Sequence, residues 1–290
     1  MSKPMLTVMM GLSGSGKSTI ARTELATENT VIISSYDIRG EICGDVSDQS
    51  KNDEVFKLFH QRIRRNLEQK KDVIADATNL SMRSRRAILG TVAGLNVFKR
   101  CYLVPKPFEM CLRDNKLREK VVPDEVIHKQ IRRFQIPFME EGWDAISVDS
   151  RFGIKDINIT AMRKFDQKNP HHSFDLNFHC RLAYLKFINN YSFGNYYALG
   201  ARLHDLGKLY CQTFDENGVA HYYQHHCISG YCIISHYPKP YMLDSAFLAN
   251  YHMMPFDWEK NGTHKKWKKR FGEEKYNALI AFHECDLAAR

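Results

Sequence analysis

Two sets of residues in this 290-residue sequence have the types and spacing to do chemistry. The first is contiguous: Gly11, Leu12, Ser13, Gly14, Ser15, Gly16, Lys17, Ser18 and Thr19. Gly11, Gly14 and Gly16 admit close backbone approach, so the amides of Ser13 to Lys17 can cradle a β-phosphate at a helix N-terminus. Lys17 would neutralise β/γ oxygens of ATP, Ser18 would hold Mg2+, and Thr19 closes the motif. The second set is scattered: His204 and Asp205 in the segment LHDLGK, with His179, His225, His252 and Asp286 at long range. Adjacent helical residues point about 100° apart, yet both reach one ion if the helix end faces it, and the carboxylate can bridge to a second ion. The other imidazoles must then come from other helices. Mixed imidazole and carboxylate donors suit one or two divalent transition metals such as Mn, Fe, Co, Ni or Zn. One set is equipped to add phosphate and the other to remove it, a pairing that makes sense on nucleic-acid ends.

The contiguous set needs a strand before it and a helix after it. Met5 to Met10 is an apolar run of strand length, and STIARTEL beyond the glycines has helix-forming character. Further apolar runs end in polar residues: TVIISSYDIR, DVIADATN, VFKRCYLV and ISVD, with helical sequence between the first four of the five strand candidates. The expectation is α/β, a parallel sheet. Its ligands would sit beyond the carboxyl ends of the strands, where Asp37, Arg39, Asp76, Thr78 and Asn79 fall. GLSGSGKST, SSYDIRGEICGD, DATNLSMRSRR and LRDNKLREKVVPDEVI, in that order, resemble the phage and bacterial polynucleotide 5′-kinase family of P-loop phosphotransferases. The resemblance implies an aspartate base, with Arg39 on the acceptor phosphate and Arg118 as a lid arginine on ATP. The family places its base three residues before that arginine, where this sequence has Tyr36, so Asp37 is the candidate base, one residue late. Asp114 stands where a first lid arginine is common, with Arg113 beside it as the substitute.

After ISVDS the pattern changes to a polar stretch without apolar period, and then to helical sequence rich in His, Tyr and Cys. The expected organisation is a sheet domain over 1–150, a linker over 151–168 and an all-α domain over 169–290. HCRLAYLKFINN, YYALGARLHDLGK, HHCISGYCIISHY and LDSAFLANYHMM space their apolar residues at three and four, which argues helices. The order H…HD…H…H…D, with LHDLGK and YYQHHCISGY the best local matches, resembles the HD-domain phosphohydrolase superfamily. That resemblance implies one metal on His179, His204, Asp205 and Asp286, with Asp205 bridging to a second on His225 and His252, and Lys208 on substrate phosphate. His172, His226 and His283 are weaker ligand candidates, and NPHH is a candidate pocket lining.

Composition narrows the partners. A formal charge of +9 favours an anionic one, and HKKWKKRF, residues 264–271, interleaves cations with Trp267 and Phe271 as a single-strand groove requires. The eight cysteines form no C-x-x-C pair, so reduced thiols are expected rather than a zinc ribbon or disulfide framework. No apolar stretch approaches the roughly 20 residues of a membrane span, and no signal peptide is legible. The expected setting is the cytoplasm of a bacterium or a phage-infected cell. The expected function is end healing on RNA or DNA: ATP-dependent 5′-phosphorylation, plus removal of a 2′,3′-cyclic phosphate or 3′-phosphate, with a separate ligase downstream. Two alternatives stay open: a small-molecule nucleoside or nucleotide kinase fused to a nucleotidase, and a nucleotide-gated RNA-binding module with a decayed kinase site.

Overall fold

The computed structural model describes residues 3–153, 157, 159–169 and 174–289. They form two units, Met1–Val122 with Glu141–Asp149, and Pro123–Glu140 with Ser150–Arg290.

In the first unit, β1 (Met5–Met10), β2 (Thr30–Ser34), β3 (Asp72–Asp76), β4 (Phe98–Leu103) and β5 (Ala145–Val148) form one parallel sheet in the order β2-β3-β1-β4-β5. A parallel sheet is covered on both faces, so its central strand should read as a continuous apolar run. In β1, Leu6, Val8, Met9 and Met10 are fully buried. The crossovers are α1 (Lys17–Ile20, running on into a π-type turn Ala21–Leu25), α2 (Ser35–Cys43), α3 (Asn52–Glu68) and α4 (Met82–Thr91). Further on, α5 (Phe108–Asn115) follows β4. α3 shows how such a helix is specified: Val55, Phe59, Ile63 and Leu67, four apart, are its buried stripe. The chain leaves β1 for β2 on one side and β3 for β4 on the other, so the carboxyl end of β1 is the switch point where phosphate ligands bind in open α/β sheets. The loop after β3 is tied down there. Asn79 Nδ2 donates to Met9 O (2.8 Å), Gly11 N donates to Thr78 O (3.1 Å), and Arg85 Nη1 donates to Leu80 O (3.2 Å). Arg85 also makes a fork with Glu141, both side chains fully buried.

The second unit is helical: α6 (Asp124–Ile131), α7 (Leu176–Asn190), α8 (Asn195–Leu203), α9 (His225–His236), α10 (Leu243–Tyr251), α11 (Met254–Asn261), α12 (His264–Phe271) and α13 (Glu273–Leu287). A two-stranded antiparallel ribbon, β6 (Thr213–Phe214) and β7 (Ala220–His221), interrupts them. α9 is buried without a break from Cys227 to Ser235 and α10 from Ser245 to Tyr251, as helices apolar all round must be. The sequence reading assigns residues 123–140 to the sheet domain, but the structure places them in the helical unit. Asn250 Oδ1 accepts from Ile136 N (2.7 Å), Tyr251 Oη donates to Ile136 O (3.0 Å), and Phe138 packs its ring against Phe247 and Phe271. Among the described residues no helix is long and apolar enough to cross a membrane.

Candidate functional site

The loop between β1 and α1 is shaped by two left-handed glycines, Gly14 (φ 81°) and Gly16 (φ 86°), with Ser15 between them. A side chain at Gly14 would put its Cβ 2.2 Å from Cys111 O, so α5 closes on the loop only because that residue is glycine. Lys17 folds back, its Nζ 3.4 Å from Leu12 O. Burial lowers its pKa; Asp76 opposes that and Arg118 adds to it, so the three side chains share one field. Asp76 is 5% exposed and its Oδ1 is buried without a hydrogen-bond partner. Ser13 and Ser15 are buried, Ser18 is half-buried and Thr19 is exposed.

Ser34 Oγ caps α2 by accepting from Asp37 N (3.2 Å), which leaves the Asp37 carboxylate in the exposed first turn. The Arg118 guanidinium lies 6.0 Å from the centre of the Tyr36 ring. Arg39 is nearly buried and held by Asn52 Oδ1 (2.6 Å), with its Nε unpartnered. Asp114 takes both the Lys106 amine and Arg113 Nε (2.8 Å) and is held below the usual carboxylate range by those hydrogen bonds, so Arg113 is engaged beside it.

The six scattered residues of the helical unit converge. His179 comes from α7 and Asp286 from α13, His225 opens α9, and His204 and His252 directly follow the last residues of α8 and α10. Each imidazole sets its Nδ1 against a backbone carbonyl: His204 on Ala201 O (2.9 Å), His225 on Tyr222 O (2.9 Å), His252 on Ala249 O (2.8 Å) and His179 on Ala289 O (3.1 Å). Three of these carbonyls lie three residues before the histidine. For His204 and His252 they are carbonyls of a helix's last turn, which have no partner inside the helix. With Nδ1–H so engaged, each Nε2 presents its lone pair to the interior.

Those Nε2 atoms surround the Asp205 carboxylate. Oδ2 is 3.4 Å from His179 and 3.4 Å from His204, while Oδ1 is 2.9 Å from His225 and 3.5 Å from His252. Asp286 Oδ1 lies 3.2 Å from each of His179 and His204. The Nε2 atoms pair at 3.3 Å, His179 with His204 and His225 with His252. Two ligands about 2.1 Å from one ion and about 90° to 110° apart stand about 3.0 to 3.4 Å from each other, so these spacings fit ligands on shared coordination spheres. Two donor groups result, His179/His204/Asp205 and Asp205/His225/His252, with one carboxylate oxygen in each. The site therefore fits two divalent ions.

Protons compete for the same atoms. Burial pulls His179 down, but hydrogen bonds to Asp205 and Asp286 raise it to about 9. His204 rises well above its ordinary value because the pull of Asp205 outweighs burial. Asp205 is held well below the carboxylate range by Lys208, His204 and His225 against the opposing effect of burial. Burial takes His252 down to about 4.

Lys208 Nζ lies 2.6 Å from Asp205 Oδ2 and 2.8 Å from Gln167 Oε1, with the Tyr222 ring 5.3 Å away. Gly207 makes room for this turn: a Cβ there would sit 2.1 Å from His225 O. Gln167 is a component that sequence reasoning missed, because a lone glutamine in an aperiodic stretch carries no signal. The repeat Ala-x-x-His at two helix ends was a usable one. Of the weaker candidates, His226 stays outside both donor groups, burial lowering it to about 3. His283 turns to Glu259, 3.3 Å away. His172, with most of NPHH, lies outside the described residues. The basic stretch forms α12, whose lysines are exposed; Trp267 is half-buried and stacks on Trp258.

Residues 6–137, just under half of the chain, match the family model described as an AAA domain. No curated protein sequence matches the chain. Among solved structures, it is similar to a chain in "Structure of the Pnkp1/Rnl/Hen1 RNA repair complex" (25% identity, TM-score 0.41), over 46% of this chain and 44% of that one. A chain in "Structure of Pnkp1/Rnl/Hen1 complex" is similar at 18% identity and TM-score 0.37, over 66% of this chain and 68% of that one. The chain thus spans under half the length of the first of these two.

Proposed function

We propose that the chain heals nucleic-acid ends, RNA foremost. The sheet unit transfers the ATP γ-phosphate to a 5′-hydroxyl, and the helical unit hydrolyses a 2′,3′-cyclic phosphate or 3′-phosphate, leaving ends for a separate ligase. The observation that carries this reading is the convergence of four Nδ1-anchored imidazoles and two carboxylates on one buried centre beside Lys208. His179, His204 and Asp286 would hold one ion, His225 and His252 the other, and Asp205 both. When bound, the ions supply Lewis acidity to the phosphoryl oxygens and to a water. The chain's own part is positional. Backbone carbonyls fix the imidazole tautomers, burial excludes bulk water, and Lys208, steadied by Gln167, offers a cation to a phosphate oxygen. In the sheet unit the amides of Ser13 to Lys17 and the Lys17 amine hold the β/γ-phosphates, Ser18 takes Mg2+, Arg118 closes on ATP and Arg39 meets the acceptor phosphate. Asp37 is the candidate proton acceptor.

An RNA with 5′-hydroxyl and 2′,3′-cyclic phosphate ends should change at both ends when incubated with ATP, Mg2+ and Mn2+. Inertness at both ends would sink the reading, and action on nucleosides alone would replace it with the metabolic alternative. One observation favours a second reading for the sheet unit. Tyr36, at the family's base position, faces Arg118 while Asp37 is exposed, which suits a nucleotide-gated binder with slow transfer. ATP binding without 5′-phosphorylation would select it.

A further inference from the structure

The connection between Lys208 and His225 starts and ends at the candidate ligand cluster, and Tyr223 precedes His225 by two residues. It carries rings. Tyr210 and Phe214 are each 52% exposed and Tyr223 is 66% exposed. Exposed aromatics scattered over a surface need no explanation, but these are concentrated on one short connection. The connection is also tied to residues 167–169. Ala220 N donates to Lys168 O (2.8 Å), Asn169 Nδ2 donates to Ala220 O (2.9 Å), and Tyr222 Oη donates to Gln167 O (2.7 Å). The segment that steadies Lys208 through Gln167 therefore also anchors the ribbon. Tyr223 is pre-ordered by His221, stacked at 5.6 Å and 7°, and His221 is itself oriented by Asp215 (Nε2 to Oδ2, 3.3 Å). Phe214 pairs with Ala220 and Thr213 with His221, so Phe214 and His221 leave opposite faces of the ribbon. The exposed Lys168 holds its amine 5.6 Å from the Phe214 ring.

We propose that the β6–β7 ribbon is a nucleobase platform, on which Tyr223 and Phe214 stack bases of a single-stranded nucleic acid while Lys168 meets its backbone. The inference deepens the reading of the helical unit as a phosphohydrolase and rests on it. Stacking surfaces joined to cations are how single strands are held without sequence preference. Two ring surfaces on opposite faces of a ribbon cannot share one base, which points to an oligonucleotide rather than a mononucleotide.

The test uses the full chain, EDTA-treated and without ATP, and a 5′-fluorescein RNA hexamer bearing a 3′-phosphate, read by anisotropy. Tyr223→Ala and Phe214→Ala should each weaken binding by about tenfold, while Tyr223→Phe binds as the unaltered protein does. Unchanged affinity in both alanine variants would overturn the platform. Adenosine 3′-monophosphate competing as tightly as the hexamer would overturn the choice of occupant. Hydrolysis of bis-p-nitrophenyl phosphate with Mn2+ reads the metal centre separately, and Tyr223→Ala should retain it. Absence of that hydrolysis in the unaltered protein would sink the phosphohydrolase reading and leave the binding result to judge the platform.

Discussion

The loop at residues 11–19 and the cluster around Asp205 are both suited to phosphate, yet they are made in opposite ways. The loop uses backbone: consecutive amides, two left-handed glycines and one lysine, presented where β1 ends. The cluster uses side chains from separate helices, its four imidazoles each aimed by a hydrogen bond to a carbonyl. A backbone site is insensitive to most side-chain changes and sensitive to glycine. A side-chain site concentrates its charge on one atom group, here the Asp205 carboxylate, on which four imidazoles and Lys208 converge. Removing that group should therefore cost the helical unit far more than any one side chain costs the sheet unit.

The largest effect expected is from Asp205→Asn. Phosphoesterase activity should fall by about 1,000-fold, or about 4 kcal/mol in the barrier. Bound metal by elemental analysis should drop, and ATP binding should be unchanged. Metal retained at full stoichiometry would break the contrast, because the cluster would then not depend on its shared carboxylate. Next comes Gly207→Ala, whose Cβ would meet His225 O at 2.1 Å. Overpacking of this kind costs about 1 to 3 kcal/mol, visible as a lower denaturant midpoint together with weaker metal binding. A shift in stability without a shift in metal affinity would show that the close approach serves packing alone.

A pH series sharpens the electrostatic side. His179 is raised to about 9 in the folded chain, so in EDTA-treated protein its contribution is full below its unfolded value near 6.5 and is lost as pH rises through about 9. His204, also raised, acts in the same direction. Melting of the metal-free protein should therefore fall by several degrees between pH 7 and 9.5. Added Mn2+ should offset the fall, because ligands freed of protons bind metal better at high pH. A metal-free melting temperature that is flat or rising over this window would contradict the arrangement of charges. The smallest effect is expected in the sheet unit, where Asp37→Ala should slow 5′-phosphorylation of an oligonucleotide at least tenfold, about 1.4 kcal/mol. An unchanged rate would remove this exposed carboxylate from the mechanism and turn attention to Asp76, whose Oδ1 is buried and unpartnered beside the Lys17 field.

Legibility in the sequence followed the same division. β1 and the loop after it are contiguous, so apolar run, glycines and lysine can be read in order, and the parallel sheet follows from the repeated strand-helix pattern. For the helical unit, the periodic segments α7 to α10 were legible, and so were the six candidate ligands, because His and Asp are chemically conspicuous. The supporting parts were not. Gln167, the Ala289 carbonyl and the ribbon β6–β7 have ordinary composition and act only through what they touch. The same holds for Pro123–Glu140, whose helical signal is local but whose partners, Asn250 and Tyr251, lie more than a hundred residues away.

From residue order alone came the phosphate loop, the sheet and helix classes of the two halves, and the list of metal-capable side chains. These depend on local geometry and side-chain chemistry, which the order of residues encodes directly. The folded chain alone decided which Asp205 oxygen meets which histidine pair, that Asp37 points to solvent, and which unit residues 123–140 join. Each of these is a matter of a few ångströms between residues distant in the chain, set by how helices pack rather than by any one segment.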